Sequence, residues 1–205
     1  MYIHPLNRWE EESEISEFIQ KNSFATLVST YAGRPWATHL PLMLKRDKNG
    51  DPMLSGHVAK ANPQWKELRN EVLVIFQGPH AYISSSWYNH ENVPTWNYLA
   101  VHAYCTIKII EGEELMDHLK SLVDTFEEGR PNRVSVEKMS EKYLESQVKA
   151  LVGIELKIKE IHASAKLSQN RDEVNYKNIV KQLGASPFQT EKEIASEMKK
   201  RMKKL

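Results

Sequence analysis

The segment VGIELKIKEI, residues 152–161, restricts the fold more than any other part of the chain. Its apolar residues Val152, Ile154, Leu156 and Ile158 fall at every second position, with Glu155, Lys157 and Lys159 between them. A period of two marks a strand with one buried and one wetted face, because successive side chains of extended backbone point to opposite sides. A slip of one residue would expose the whole apolar set, so the register is firmly specified. NYLAVHAYCTIKII, residues 97–110, alternates in the same way.

Further strand patterns come in runs. FATLVST and RPWATHLPLML are rich in β-branched and aromatic residues and are separated by YAG, which predicts two strands and a tight turn. Pro41 predicts an edge or a bulge, since proline donates no ladder hydrogen bond. RDKNGD predicts a second turn, with Asn49-Gly50 tolerating positive φ, and PMLSGH a third strand in meander order. EVLVIFQ and AYIS read as two more strands.

Helical spacing is confined to a few places. Ile15, Phe18 and Ile19 predict an amphipathic helix over Glu10 to Lys21. PQWKELR predicts a short helix with proline in its first turn. Leu115, Leu119, Leu122, Val123 and Phe126 predict a longer helix that Gly129 ends, and a further short one covers Glu137 to Lys149. Strands in runs, without βαβ alternation, predict an α+β fold with an antiparallel sheet curled into a barrel.

Charge and length narrow the function classes. With 28 Lys plus Arg against 27 Asp plus Glu, the molecule as a whole has no electrostatic drive toward nucleic acid or membrane. No stretch approaches the ~20 consecutive apolar residues of a membrane-spanning helix. A single cysteine, Cys105, excludes an intramolecular disulfide framework and suits a reducing compartment. The opening MYIHPLNRWEEESE is too polar for a signal peptide, so a cytoplasmic location is expected. The last 14 residues carry six Lys or Arg against two Glu, a basic helix end that is either solvated or a DNA contact.

Three stretches have the residues for chemistry. In SGHVAKANPQW a strand delivers the chain to a helix start, where Lys60, Ser55, His57, Asn62 and free backbone N–H groups suit a phosphate; a plain strand-to-helix connection is the alternative. Phe76 to Tyr104 holds seven of the 18 aromatic residues and three of the eight histidines. There Trp87, Tyr88, Trp96 and Tyr98 form either a core or the walls of a planar-ligand pocket, with Thr95 and Asn97 reading the ligand's polar edge. AKLSQNR is dense in donors and suits a phosphate, a carbonyl-rich ring edge or a subunit contact, or is a solvated loop. His80, His90 and His102 lack metal-ligand spacing, and Cys105 has no base beside it, so neither zinc nor cysteine catalysis is expected.

In chain order, MY at the start, FATLVS, ATHLPL, GHVAKANPQW, VIFQGPHAYIS, SWY, VPTWNYLAVHAY and KLSQNR resemble the PaiB-type FMN-binding negative transcriptional regulators, a family named for repression of protease and sporulation genes. The resemblance spans residues 1–175. It implies a split β-barrel like that of pyridoxamine-phosphate oxidase over residues 1–170, a helical extension over 171–205, and a homodimer with FMN at the subunit interface. By position, Thr38, His39, His57, Lys60 and Asn62 would hold the phosphate and ribityl chain. Trp96, Asn97, Gln169, Asn170 and Arg171 would lie near the isoalloxazine ring or across the dimer. Ser85 stands where the family has proline and Cys105 where it has glycine.

The expected function is therefore a repressor that senses FMN or a related ligand, acting on DNA directly or through another regulatory protein, with no membrane partner. The alternative is a flavin-dependent oxidoreductase acting on a small molecule. No helix-turn-helix signature supports direct DNA contact, and no acid–base pair stands beside the expected ring to support catalysis.

Overall fold

The computed structural model describes residues 1–68 and 71–202. Seven strands form one sheet: β1 (Phe24–Tyr31), β2 (Arg34–Pro41), β3 (Met43–Arg46), β4 (Pro52–Ala59), β5 (Val72–Ile83), β6 (Thr95–Ile110) and β7 (Leu151–Lys166). Their hydrogen-bonded order is β2-β1-β5-β6-β7-β4-β3. The β1–β2, β1–β5, β3–β4 and β4–β7 ladders are all antiparallel. Five α-helices complete the described residues, besides short 3₁₀ turns: α1 (Glu12–Lys21), α2 (Gly112–Glu127), α3 (Glu141–Val148), α4 (Glu173–Ala185) and α5 (Gln189–Met202). The protein is thus α+β with an antiparallel sheet, as the strand runs predict. No helix of the described residues is long and apolar enough to cross a membrane.

The chain divides into two compact units. One comprises Met1–Phe18, Phe76–His102 and the described residues from His162 on; the other comprises Ile19–Ile75 and Ala103–Ile161. The second unit contains part of every strand together with α2 and α3, and its connectivity explains its shape. β2 and β3 occupy opposite ends of the sheet order, yet only Leu42 separates them in the chain. Two edges joined by one residue force the sheet to curl back on itself. Leu42 is fully buried, and its N–H donates to the Ser23 carbonyl at 2.8 Å. Gly56 on β4 lets that strand press against the junction: a Cβ there would lie 2.5 Å from Leu42 and 3.2 Å from the Pro41 carbonyl oxygen. The order contains no β2–β3 pairing, so the curl stays split along this line. Leu27, Leu54, Val74, Cys105, Ile110, Ile154 and Leu156 fill its interior.

The RPWATHLPLML strand of the sequence reading is therefore two strands, broken at Leu42. Pro41 ends an edge strand, where its missing N–H costs no ladder bond. EVLVIFQ and AYIS, read as separate strands, are one: β5 runs through Pro79. The β1–β5 ladder ends at Ile75, so Pro79 removes no hydrogen bond from it. Asp47 rather than Asn49 organises the RDKNGD turn, its carboxylate accepting from the N–H groups of Asn49 and Asp51, and Gly50 takes the positive φ of 86°. PQWKELR is shorter than predicted, a 3₁₀ turn over Pro63–Glu67, and its Arg69 lies outside the described residues.

In the first unit, α4 and α5 pack on each other through Tyr176, Ile179, Leu183, Ile194 and Met198. The Tyr176 hydroxyl donates to the Met198 carbonyl at 2.9 Å. Asp172 caps α4 by accepting from Asn175 N–H. Arg201, in the basic helix end, donates to Glu14 at 3.2 Å and lies 5.0 Å over the Trp9 ring. One of the tail's cations is thereby committed within its own unit; Lys203 and Lys204 lie outside the described residues.

Candidate functional site

The ten residues expected at a ligand site fall into two groups, five in each unit. In the second unit, Thr38 and Asn62 meet at a buried hub that the sequence reading missed. Gln64 is fully buried, and its amide oxygen accepts from Thr38 Oγ1 at 2.5 Å. Asn62 Nδ2 donates to the same Thr38 Oγ1 at 2.7 Å, and Asn62 Oδ1 accepts from Gln64 N–H at 3.1 Å. Gln64 Nε2 donates to Ser29 Oγ at 3.0 Å. A buried amide must find partners for both ends, and here it does so by tying β1, β2 and the 3₁₀ turn together. Only the position of Gln64 one residue after Pro63 hinted at it, as the second residue of a capped turn.

Three of the turn's backbone donors are already used inside the protein. Lys60 N–H donates to Ala150 O, Asn62 N–H to Ala59 O and Gln64 N–H to the Asn62 side chain. The turn also carries the exposed Lys60 ammonium, on a backbone whose carbonyl accepts from Trp65 Nε1 at 3.0 Å. His39 is exposed on β2 and stacks on Phe24, ring centroids 6.3 Å apart. His57 points elsewhere, at His118 of α2: its Nδ1 lies 3.1 Å from His118 Nε2, and His118 Nδ1 lies 2.8 Å from Ser55 Oγ. His118 is 1% exposed. Burial pushes it down to about 4, with His57 and Lys45 acting in the same sense, and burial lowers His57 too. Both rings are therefore neutral at physiological pH, one N–H being shared between them. His118 could have been found: it follows Leu115 by three residues and precedes Leu122 by four, on the helix's apolar stripe.

In the first unit, Trp96 is 53% exposed and forms an open aromatic cluster with Tyr82 at 5.7 Å and His80 at 6.1 Å. Its neighbour Asn97 faces the other way on β6 and is fully buried, accepting from Ser168 Oγ at 3.0 Å and donating toward Met198 Sδ at 3.6 Å. Gln169 braces the end of β7, accepting from Leu167 N–H and donating to the Ala165 carbonyl. Asn170 and Arg171 line a cavity of about 390 Å³ with Lys166, Ser168, Thr95, Tyr98 and the N-terminal residues Tyr2, His4, Leu6 and Asn7. The structure thus brings Asn170 and Arg171 together at a pocket and sets Asn97 and Gln169 behind it as supports. Cys105 is buried in the second unit, its thiol pushed up to about 12 by burial and then by Glu71, which removes it as a nucleophile.

The fold is that of the split-barrel flavoproteins. The FAD and heme binding protein from Mycobacterium smegmatis superimposes with a TM-score of 0.60 at 17% identity, over 78% of this chain and 73% of that one. The flavocytochrome Anf3 from Azotobacter vinelandii does so with a TM-score of 0.59 at 21% identity, over 84% and 75%. The family model described as "Putative FMN-binding domain" matches residues 1–160, and the chain belongs to that family. Among its relatives, "Protease synthase and sporulation protein PAI 2" of Bacillus subtilis (strain 168) is 46% identical over 206 residues, covering 100% of this chain and 99% of that protein.

Proposed function

We propose that this protein regulates protease synthesis and sporulation in response to FMN or a related flavin, working as a cytoplasmic homodimer. The observation that carries this reading is the end-to-end identity of 46% with a protein named for those two processes, within a family described by FMN binding. The barrel unit supplies a place for the ligand. Lys60 is the cation for the FMN phosphate, an exposed ammonium on a turn clamped by Thr38, Asn62 and Gln64. His39 on the edge strand β2 and Phe24 beneath it on β1 offer a flat surface. The edge strand β2 carries Trp36, 37% exposed and against Tyr31, toward one end, and His39 over Phe24, 69% exposed, toward the other; that is apolar for a surface left in water, and a second copy of the chain is the occupant that fits the reading.

The test is titration of purified protein with FMN and with riboflavin, followed by absorbance in the flavin bands and by thermal melting. FMN raises the melting temperature, because a ligand that binds only the folded state stabilises it. Lys60→Ala weakens FMN far more than riboflavin, which lacks the phosphate. A protein that neither takes up colour nor responds to excess FMN, or equal losses for both flavins in the variant, refutes the assignment. Bleaching of the loaded protein by NADH or NADPH would mark an oxidoreductase instead.

A further inference from the structure

We propose that the cavity of the first unit is a second ligand site, for a small molecule that joins an anionic head, phosphate monoester or carboxylate, to an apolar body. The proposal reassigns Asn170 and Arg171, which the resemblance set near the flavin ring, and it does not need the Lys60 site, since every lining residue belongs to the first unit.

Charge comes first. Lys166 and Arg171 both line the cavity and none of its lining residues is acidic. Among the described residues neither cation forms an ion pair; Lys166 Nζ donates only to Thr95 Oγ1, at 2.7 Å, which leaves its charge unbalanced. Arg171 is fixed more firmly. Its guanidinium lies 4.9 Å over the Tyr88 ring, and its Nε–H is buried without a hydrogen-bond partner among the described residues. A buried N–H of a charged group is expensive to leave unmet, and an oxyanion is the partner that a guanidinium fork accepts best.

The second argument is preorganisation. The turn that carries Lys166, Asn170 and Arg171 is held by Ser168 at φ 61°, a left-handed conformation that a serine adopts only when its surroundings impose it. Four contacts impose it: Ser168 Oγ to the buried Asn97, Arg171 N–H to the Ser168 carbonyl at 3.1 Å, and the Gln169 amide to both Leu167 and Ala165. The facing wall is fixed as well. Beyond Asn7 the chain pairs with β7 through the Arg8–Ser164 bridge, and Trp9 N–H donates to the Ala163 carbonyl at 3.2 Å. Tyr2, Leu6 and Tyr98 supply apolar surface between these polar ends. A pocket of this size, whose lining is mainly polar donors with a smaller apolar share, suits a small molecule with an anionic head.

Phenyl phosphate, inorganic phosphate and phenol are suitable probes, each titrated into the full chain by calorimetry and thermal melting. Phenyl phosphate is expected to bind and raise the melting temperature, inorganic phosphate to bind more weakly and phenol not at all. Arg171→Ala and Lys166→Met should each weaken phenyl phosphate about tenfold or more, the cost of one charge-assisted hydrogen bond. Asn170→Asp, an exposed position where a new carboxylate removes no packed side chain, should weaken it too, so that the claim stays testable if Arg171→Ala folds poorly. Lys60→Ala should leave the part of phenyl phosphate binding that Arg171 and Lys166 supply in place, whether or not the protein binds FMN. No binding of either phosphate, or losses in Lys60→Ala equal to those in Arg171→Ala, overturns the proposal. Arg171→Ala weakening FMN but not riboflavin would also overturn it, by making this cavity the flavin's own phosphate site.

Discussion

The histidine pair inside the barrel unit makes a pH dependence that can be worked out in advance. His118 is neutral in the folded protein, with its value near 4 against an ordinary 6.5, and desolvation is the main cause. The unfolded chain therefore binds more protons than the folded one below pH 6.5. The stability contributed by the neutral, buried ring is fully present above pH 6.5 and is lost as pH falls toward the folded value. By linkage the whole shift corresponds to about 3 kcal/mol, of which about 2 kcal/mol disappears between pH 7 and pH 5. His57 is lowered by the same cause and adds to the loss in the same direction. The assay is urea unfolding of the wild type and His118→Asn at pH 8, 7, 6 and 5. The asparagine amide keeps a partner for Ser55 but does not titrate, so whatever its baseline stability, its loss between pH 7 and 5 should be smaller than the wild type's by about 2 kcal/mol. Identical slopes for the two proteins would refute the reasoning, as would a His118 imidazole signal that titrates near 6.5 in the folded state.

Two further outcomes follow from the first unit's turn and the barrel's cysteine. Ser168→Ala and Ser168→Gly both delete the bond to Asn97, but only glycine relieves the left-handed backbone, so the glycine variant should be the more stable by about 1 kcal/mol in chemical denaturation. An alanine variant as stable as the glycine one would show that the turn is unstrained. Cys105 should resist thiol reagents in native buffer and react promptly in denaturant, because its thiolate is inaccessible and disfavoured in the fold; prompt labelling of the native protein would show that β6 opens readily.

Elements whose pattern is local were legible in the sequence. Val152, Ile154 and Leu156 bury as their alternation requires, and Ile15, Phe18 and Ile19 bury along α1. What sequence could not show is anything decided by contacts distant along the chain. The break at Leu42 is invisible to periodicity because an apolar residue continues the strand pattern on either side; it exists because the sheet must turn back there. EVLVIFQ and AYIS read as two strands and are one, with Gly78-Pro79 inside β5 beyond the end of its β1 ladder. The candidate site divides in the same way. Residue types were readable, so Lys60, Asn170 and Arg171 could be named; side-chain direction was not, so Asn97 and Gln169 turn out to brace the pocket's turn and Gln64 and His118 went unseen.

The β4–β7 ladder pairs Met53 with Lys157, about a hundred residues later in the chain. On the ribosome, at roughly 5–20 residues per second, β4 would wait some 5–20 s for its partner after its own emergence. During that interval its β3 side can already be covered by the local hairpin while the other side presents open backbone donors and acceptors. Newly made chains are thus at greatest risk of joining one another edge to edge, or of needing a chaperone, in the seconds before β7 is made.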